Sequence, residues 1–224
     1  MNPAASPAQV TRVRIAFSKL EAMRFTGNLD LHRTWERLLR RAGLPLAYSE
    51  GFRPHPRIHL ASALALGCTS SGELIDVWLE RPIEPDKIVA ALRSAIPPGL
   101  RVEEAWPVEL RGPALPTLVV ACDYLVELPA QQDGAGLEAH LDELLAAPSL
   151  PRERRGKPYD LRPLIEDLQL DRAVPAAPRL RMRLAAREAA TGRPEEVLHA
   201  LGLDPSRAHI HRTRVILREA EPAG

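Results

Sequence analysis

Aromatic residues are scarce: Phe, Trp and Tyr make up only 4% of the 224 residues. A core must therefore be built from Leu, Val, Ile and Ala. Cysteine is scarcer still. Cys68 and Cys122 stand far apart in apolar surroundings. They cannot hold a metal by themselves, and they read as buried, reduced thiols of a cytosolic protein. No apolar run approaches the roughly 18 residues of a membrane span, so no membrane partner is expected. The opening MNPAASPAQ lacks a hydrophobic signal core and reads as a short disordered tail. An excess of one charge is missing too. The 30 Lys and Arg nearly balance 29 Asp and Glu, a net of +1. No global field draws nucleic acid, so anion binding has to come from local clusters. Nor is there a Gly-rich phosphate loop, a GxSxG, an HExxH or a CxxxCxxC. Nothing points to an ATPase, a serine hydrolase, a zincin or an iron–sulfur cluster held by this chain, and neither metal nor cofactor is expected.

What is present has the balance of a globular protein, 45% hydrophobic and 26% charged. Val13, Ile15 and Phe17 alternate with Arg12, Arg14 and Ala16, the pattern of a half-buried strand. NLDLHRTWERLLRRAGLP predicts a helix capped by Asn28 and stopped at Gly43–Leu44–Pro45, with Leu31, Trp35, Leu38 and Ala42 on one face. RIHLASALAL and GELIDVWLE predict a hairpin turned at GCTSSG. EPDKIVAALRSAI reads as a helix with Pro85 near its start, and RVEEAWPVEL as a strand. RGPALP, Arg111–Pro116, marks a boundary, beyond which the order recurs. TLVVACDYLVEL is a strand, and GLEAHLDELLAA a helix with Leu137, Leu141 and Leu144 on one side. An irregular basic segment follows. PRLRMRLAARE is a strand, RPEEVLHALGL a helix closed by Gly202, and AHIHRTRVIL a last strand. The expectation is an α+β protein of two ferredoxin-like (βαββαβ) halves with antiparallel sheets, 10–112 and 113–219, between tails 1–9 and 220–224. Helices cover one face of each sheet, and the other face is free to bind something or to pack on the sister half.

Three constellations carry chemistry. Arg33, Arg37, Arg40 and Arg41 fall opposite the apolar face of the first helix and suit a phosphate backbone. The plainer alternative is a solvated face on which Glu36 pairs with Arg40. The second is YSEGFRPHPRIH. Gly51 and Phe52 lead into two prolines, Pro54 and Pro56, which fix φ on either side of His55 and hold Arg53 and His55 extended. In an extended chain Arg53, His55, Arg57 and His59 project to one side. Such an edge suits anion binding or phosphodiester chemistry without a metal, with His55 as a general acid or base. A purely structural turn is the alternative. The third is PRERRGKPYDLRPLI, where Lys157 joins Arg152, Arg154 and Arg155 beside Tyr159, a pattern suited to RNA contact or to a mobile charged loop. The terminal HIHRTR adds Arg212 to the binding candidates, with His209, His211 and Thr213 on one strand face and Ile210, Arg212 and Arg214 on the other.

RFTGNLDLHRTWERLLRRAGLPLAYSEGFRPHPRIHLASALALG, followed by GELIDVWLE, resembles an uncharacterised bacterial domain family associated with radical-SAM proteins; KPYDLRPLI and the terminal HRTR extend the likeness over nearly the whole chain. In that family the position of Arg53 often holds a smaller polar residue, so Gly51, Phe52, Pro54, His55 and Pro56 carry the motif more firmly. The resemblance implies a stand-alone cytoplasmic accessory protein, working with a radical-SAM partner or in RNA metabolism. It would bind RNA or present a substrate to that partner. Two alternatives stay open: a metal-independent RNA-processing enzyme using His55, and a purely protein-binding subunit.

Overall fold

β1 (Thr11–Lys19) realises the first alternation: Val13, Ile15 and Phe17 are buried on one face, and Arg12 and Arg14 point to the other. The computed structural model describes residues 9–129, 134–171, 178–187 and 190–218. The expected tails lie almost wholly outside these residues. Two compact units divide between Leu118 and Val119.

The first unit continues with α1 (Asn28–Arg41), β2 (Ile58–Leu60), β3 (Thr69–Leu79), α2 (Pro85–Ala95), β4 (Leu100–Val108) and α3 (Leu115–Leu118). Its strands are antiparallel in the order β2-β3-β1-β4. The core gathers Val13, Ile15 and Phe17 with Ile75, Val77 and Leu79 of β3 and the buried faces of both helices. α1 buries Leu31, Trp35, Leu38 and Leu39, and the Trp35 ring meets Phe17 edge to face at 4.8 Å. Asn28 is not its cap. Gly27 takes that place, with no side-chain bond, and Asn28 is the first helical residue. The end comes where expected. Gly43 adopts a φ of +69°, its N–H bonds the Arg40 carbonyl, and the Leu44 N–H reaches back to Leu39.

Two expectations fail in this unit. β2 is three residues long rather than the ten of RIHLASALAL. After the Ala61 N–H bonds the Leu74 carbonyl, the chain leaves the sheet, because alanine-rich sequence gives a strand little to pack with. Nor is the second sheet face free. Asp76, fully buried, accepts from Arg12 Nε at 2.9 Å and from Arg14 Nε at 2.7 Å. Arg12 spends its other donors on the carbonyls of Glu109, Gly112 and Pro113. The RGPALP segment is thus drawn over this face, and α3 lies against β2.

The second unit comprises β5 (Val119–Glu127), α4 (Gly134–Ala146), β6 (Pro151–Arg154), β7 (Lys157–Asp160), β8 (Ile165–Asp171), β9 (Arg179–Arg187), β10 (Ala190–Thr191), α5 (Pro194–Ala200) and β11 (His209–Leu217). Its main strands run antiparallel in the order β8-β9-β5-β11, with β10 on the end of β9 and β6–β7 as a separate hairpin. Gly202 closes α5 at a φ of +72° as expected, and both cysteines are buried thiols. The strand alternation of β11 does not run through. A bulge between Arg212 and Arg214 leaves Ile210, Arg212 and Val215 buried and Thr213 and Arg214 exposed.

Replacing Asp76 by Ala strands two buried guanidiniums without their acceptor. The expected cost is about 3–5 kcal/mol, read as a fall in the urea midpoint of the intact protein. An unchanged midpoint would show that the cluster is not what holds this sheet face.

Candidate nucleic-acid interface

The proline loop is a narrow hairpin. The Ser49 N–H donates to the His55 carbonyl at 2.9 Å, the His55 N–H to Ser49 Oγ at 3.1 Å, and the Arg57 N–H to the Ala47 carbonyl at 2.9 Å. Trp78 ties both arms to β3: its carbonyl accepts from the Ala47 N–H and its N–H donates to the Arg57 carbonyl. Pro56 is buried in a bridge to Tyr48, so the ring that fixes its φ is also clamped. At the tip, Gly51 takes a φ of +123°, a region open mainly to glycine. Phe52 extends fully into solvent, and Arg53 and His55 are exposed beside it. From His55 to His59 burial alternates, with His55, Arg57 and His59 outward and Pro56 and Ile58 inward. Arg53 lies in the bend before this run rather than in line with it.

Below the hairpin, Trp78 is the hub. Arg57 and Arg12 each hold a guanidinium 4.9 Å from its ring centroid, and the His59 ring meets it edge-on at 4.9 Å. The ladder explains the grouping. Arg12 is the cross-strand partner of Trp78, and both Arg14 and His59 are cross-strand partners of Asp76. Three guanidiniums thus gather around Asp76 and Trp78, of which Arg12 and Arg14 bond the carboxylate. Two are spent inside the fold, and Arg57 remains at the surface. Burial pushes the pKa of His59 below its ordinary value. The charges of Arg12, Arg57 and His32 add to that, while Asp76 works against it. This favours the neutral imidazole, which can both donate and accept.

The arginines of α1 divide. Arg33 pairs with Asp30 at 3.4 Å and Arg40 with Glu36 at 3.7 Å, while His32 approaches the same Glu36 at 3.4 Å. Arg37 is exposed on that face. The pairing of Glu36 with Arg40 is the one helical spacing suggested. Lys157 belongs to the second unit, at the start of β7, and is exposed there. Arg212 is buried, with Nη1 3.9 Å from Cys122 Sγ, so it faces the interior and is not presented to a ligand. Sequence reasoning missed Arg12, Arg14, Asp76 and Trp78. The signal was there in principle: two arginines on the outer positions of one predicted strand, and an aspartate and a tryptophan on the matching positions of another.

The chain belongs to the DUF2344 family, described as an uncharacterized protein conserved in bacteria, whose model matches residues 12–194. No curated protein matches it. Among solved structures it is similar to a chain in a structure of an H/ACA RNP bound to a substrate RNA containing 2'-deoxyuridine, with a TM-score of 0.46 and 11% identity over 92% of this chain. This chain spans 49% of that one. A likeness this low carries no argument about function.

The state of His59 is testable through its imidazole NMR signals. Its midpoint is expected below 6.5, and Arg57→Ala should move it upward by removing a like charge. The linkage sign follows. Folded His59 binds protons less readily than unfolded His59, so its effect on stability is nil well above pH 6.5. Stability is lost as the pH falls below that value. A midpoint at or above 6.5 would contradict this arrangement.

Proposed function

We propose that this protein is a cytoplasmic, radical-SAM-associated accessory protein that binds RNA through its first unit, or else presents a substrate to a radical-SAM partner. The observation that carries the RNA reading is the stacked Arg57–Trp78 pair beneath a proline-clamped hairpin that holds Phe52, Arg53 and His55 in solvent. Single-stranded RNA is held by cations that follow the backbone and by flat groups on which bases stack. Phe52 supplies an unburied ring, and Arg53 and Arg57 supply charge. The hairpin is ordered before any ligand arrives, so little entropy is lost on binding. Arg37, with Arg33 and Arg40 exchanging their carboxylate partners for phosphate, would extend the contact along α1. The partner reading rests on the family likeness of the loop and helix motifs. We also read each unit as a ferredoxin-like fold. The strand orders β2-β3-β1-β4 and β8-β9-β5-β11, with a helix after the first strand of each set, support that reading.

Binding is favoured over catalysis because His55 is open to water, where a general acid or base gains little from its surroundings. The direct test is fluorescence anisotropy with a labelled single-stranded oligoribonucleotide across a salt series. Affinity should fall with salt, and Arg57→Ala should weaken binding about tenfold and flatten the slope by about 0.7. His55→Ala separates binding from chemistry: cleavage lost with affinity kept would instead favour an RNA-processing enzyme. Absence of salt-sensitive binding would sink the RNA reading and leave a protein-binding subunit.

A further inference from the structure

The second unit contains a cleft of about 520 Å³ between the β6–β7 hairpin and the β10–α5 connection. Its walls are fixed by one arginine. Arg154 grips Glu196 of α5 through Nε and Nη2, donates to the Thr191 carbonyl, and stacks 4.7 Å from the Tyr159 ring centroid. Arg154 and Glu196 cancel each other's charge. What is left lining the cleft is Arg155, Lys157 and Arg193 against the single carboxylate of Asp160. That carboxylate is already engaged, with Oδ1 accepting the N–H groups of Leu150 and Arg162 at 2.7 and 2.9 Å. Among the described residues, Arg155, Lys157 and Arg193 make no ion pair.

Arg155 adds a second anomaly. It has a φ of +52°, the only positive value outside glycine among the described residues. The two-residue turn Arg155–Gly156 that joins β6 to β7 requires positive φ at both positions, where Gly, Asn or Asp is the easy choice. An arginine held there against its backbone preference points to a role for its side chain.

We propose that this cleft binds a phosphate monoester. Three unpaired cations against one carboxylate leave two positive charges, which match the dianion, and two guanidiniums can engage it in bidentate fashion. The volume suits a mononucleotide-sized group, and the Tyr159 ring, backed by a guanidinium, gives a flat wall beside the charged end. The monoester could be that of a free nucleotide or of the 5′ end of an RNA chain. This site is independent of the hairpin of the first unit and does not rest on it.

Calorimetric titration of the intact protein at low salt tests it, with adenosine 5′-monophosphate, adenosine, and one oligoribonucleotide carrying either a 5′-phosphate or a 5′-hydroxyl. The phosphorylated form is expected to bind better in at least one pair. Binding by the monophosphate identifies a nucleotide site, and binding by the phosphorylated oligonucleotide alone identifies a chain-end site. Losing one charge-assisted contact should weaken binding about tenfold in Arg155→Gly and in Lys157→Ala. Arg155→Gly also relieves the turn, so its thermal midpoint should hold or rise while affinity falls, a split that a structural role would not produce. Binding of adenosine 5′-monophosphate, or a preference for the 5′-phosphate, that persists when the 5′-hydroxyl oligonucleotide shows no salt-sensitive binding separates failure of the first-unit RNA site from failure here. Equal binding with and without the phosphate, or unchanged affinity in Arg155→Gly, overturns the proposal.

Discussion

The buried carboxylate of Asp76 is the point on which the first unit turns. It sits at no solvent exposure, opposite Arg14 on β1 and His59 on β2, and accepts from both Arg12 and Arg14. Burying one anion with two cations is costly unless every donor is used. Here the surplus is what organises the neighbourhood. Arg12 has donors left after Asp76 and places them on three carbonyls of the segment after β4. A chain rich in Gly and Pro, with few groups of its own to pack, is thereby fastened over the sheet. The same arrangement packs Trp78 against Arg12, which leaves Arg57 to stack on the ring from the β2 side. The presented cation depends on this buried ion cluster, and Arg12 adds to the lowering that burial imposes on the pKa of His59.

Much of this could be read from the residues, and most of the exceptions share a cause. Local signals held where local energetics decide: the apolar stripe of α1, the left-handed Gly43 and Gly202, and the placing of Val13, Ile15 and Phe17 on one face of β1. The His55–His59 alternation held for the same reason, since Pro56 and Ile58 had to be buried. What failed depended on partners distant in sequence. The early end of β2 is the one local exception, an effect of its alanine-rich continuation. Nothing in RGPALP says that its carbonyls will be wanted by Arg12, about a hundred residues earlier. Alternation already put Arg212 beside Ile210, where it is buried; the bulge after it is what turned Arg214 outward and Val215 inward. A sequence read by alternation has no means of locating a single inserted residue.

The same long-range accounting separates the arginines that can act on a ligand from those that cannot. On the outer face of the second unit Arg179, Arg181 and Arg183 meet Glu127, Asp171 and Asp123 at 2.7–2.8 Å. They form a charged ladder that offers little net field. Arg154 is a strut, Arg212 is interior, and Arg12 and Arg14 are consumed by Asp76. By sequence these are indistinguishable from Arg53, Arg57, Arg155 and Arg193, and composition reports only a near-neutral chain. In both units, though, surface cations stand on a hairpin near an arginine already committed: Arg12 against Trp78, to which the proline loop is tied, and Arg154 beneath the β6–β7 turn. A guanidinium anchored against an aromatic ring fixes the backbone of its neighbours, and the neighbours keep their charge for something else. Net charge is thus a poor guide to anion binding in this protein. The relevant quantity is how many cations remain after the fold has taken its own, and where the rigid segments place them.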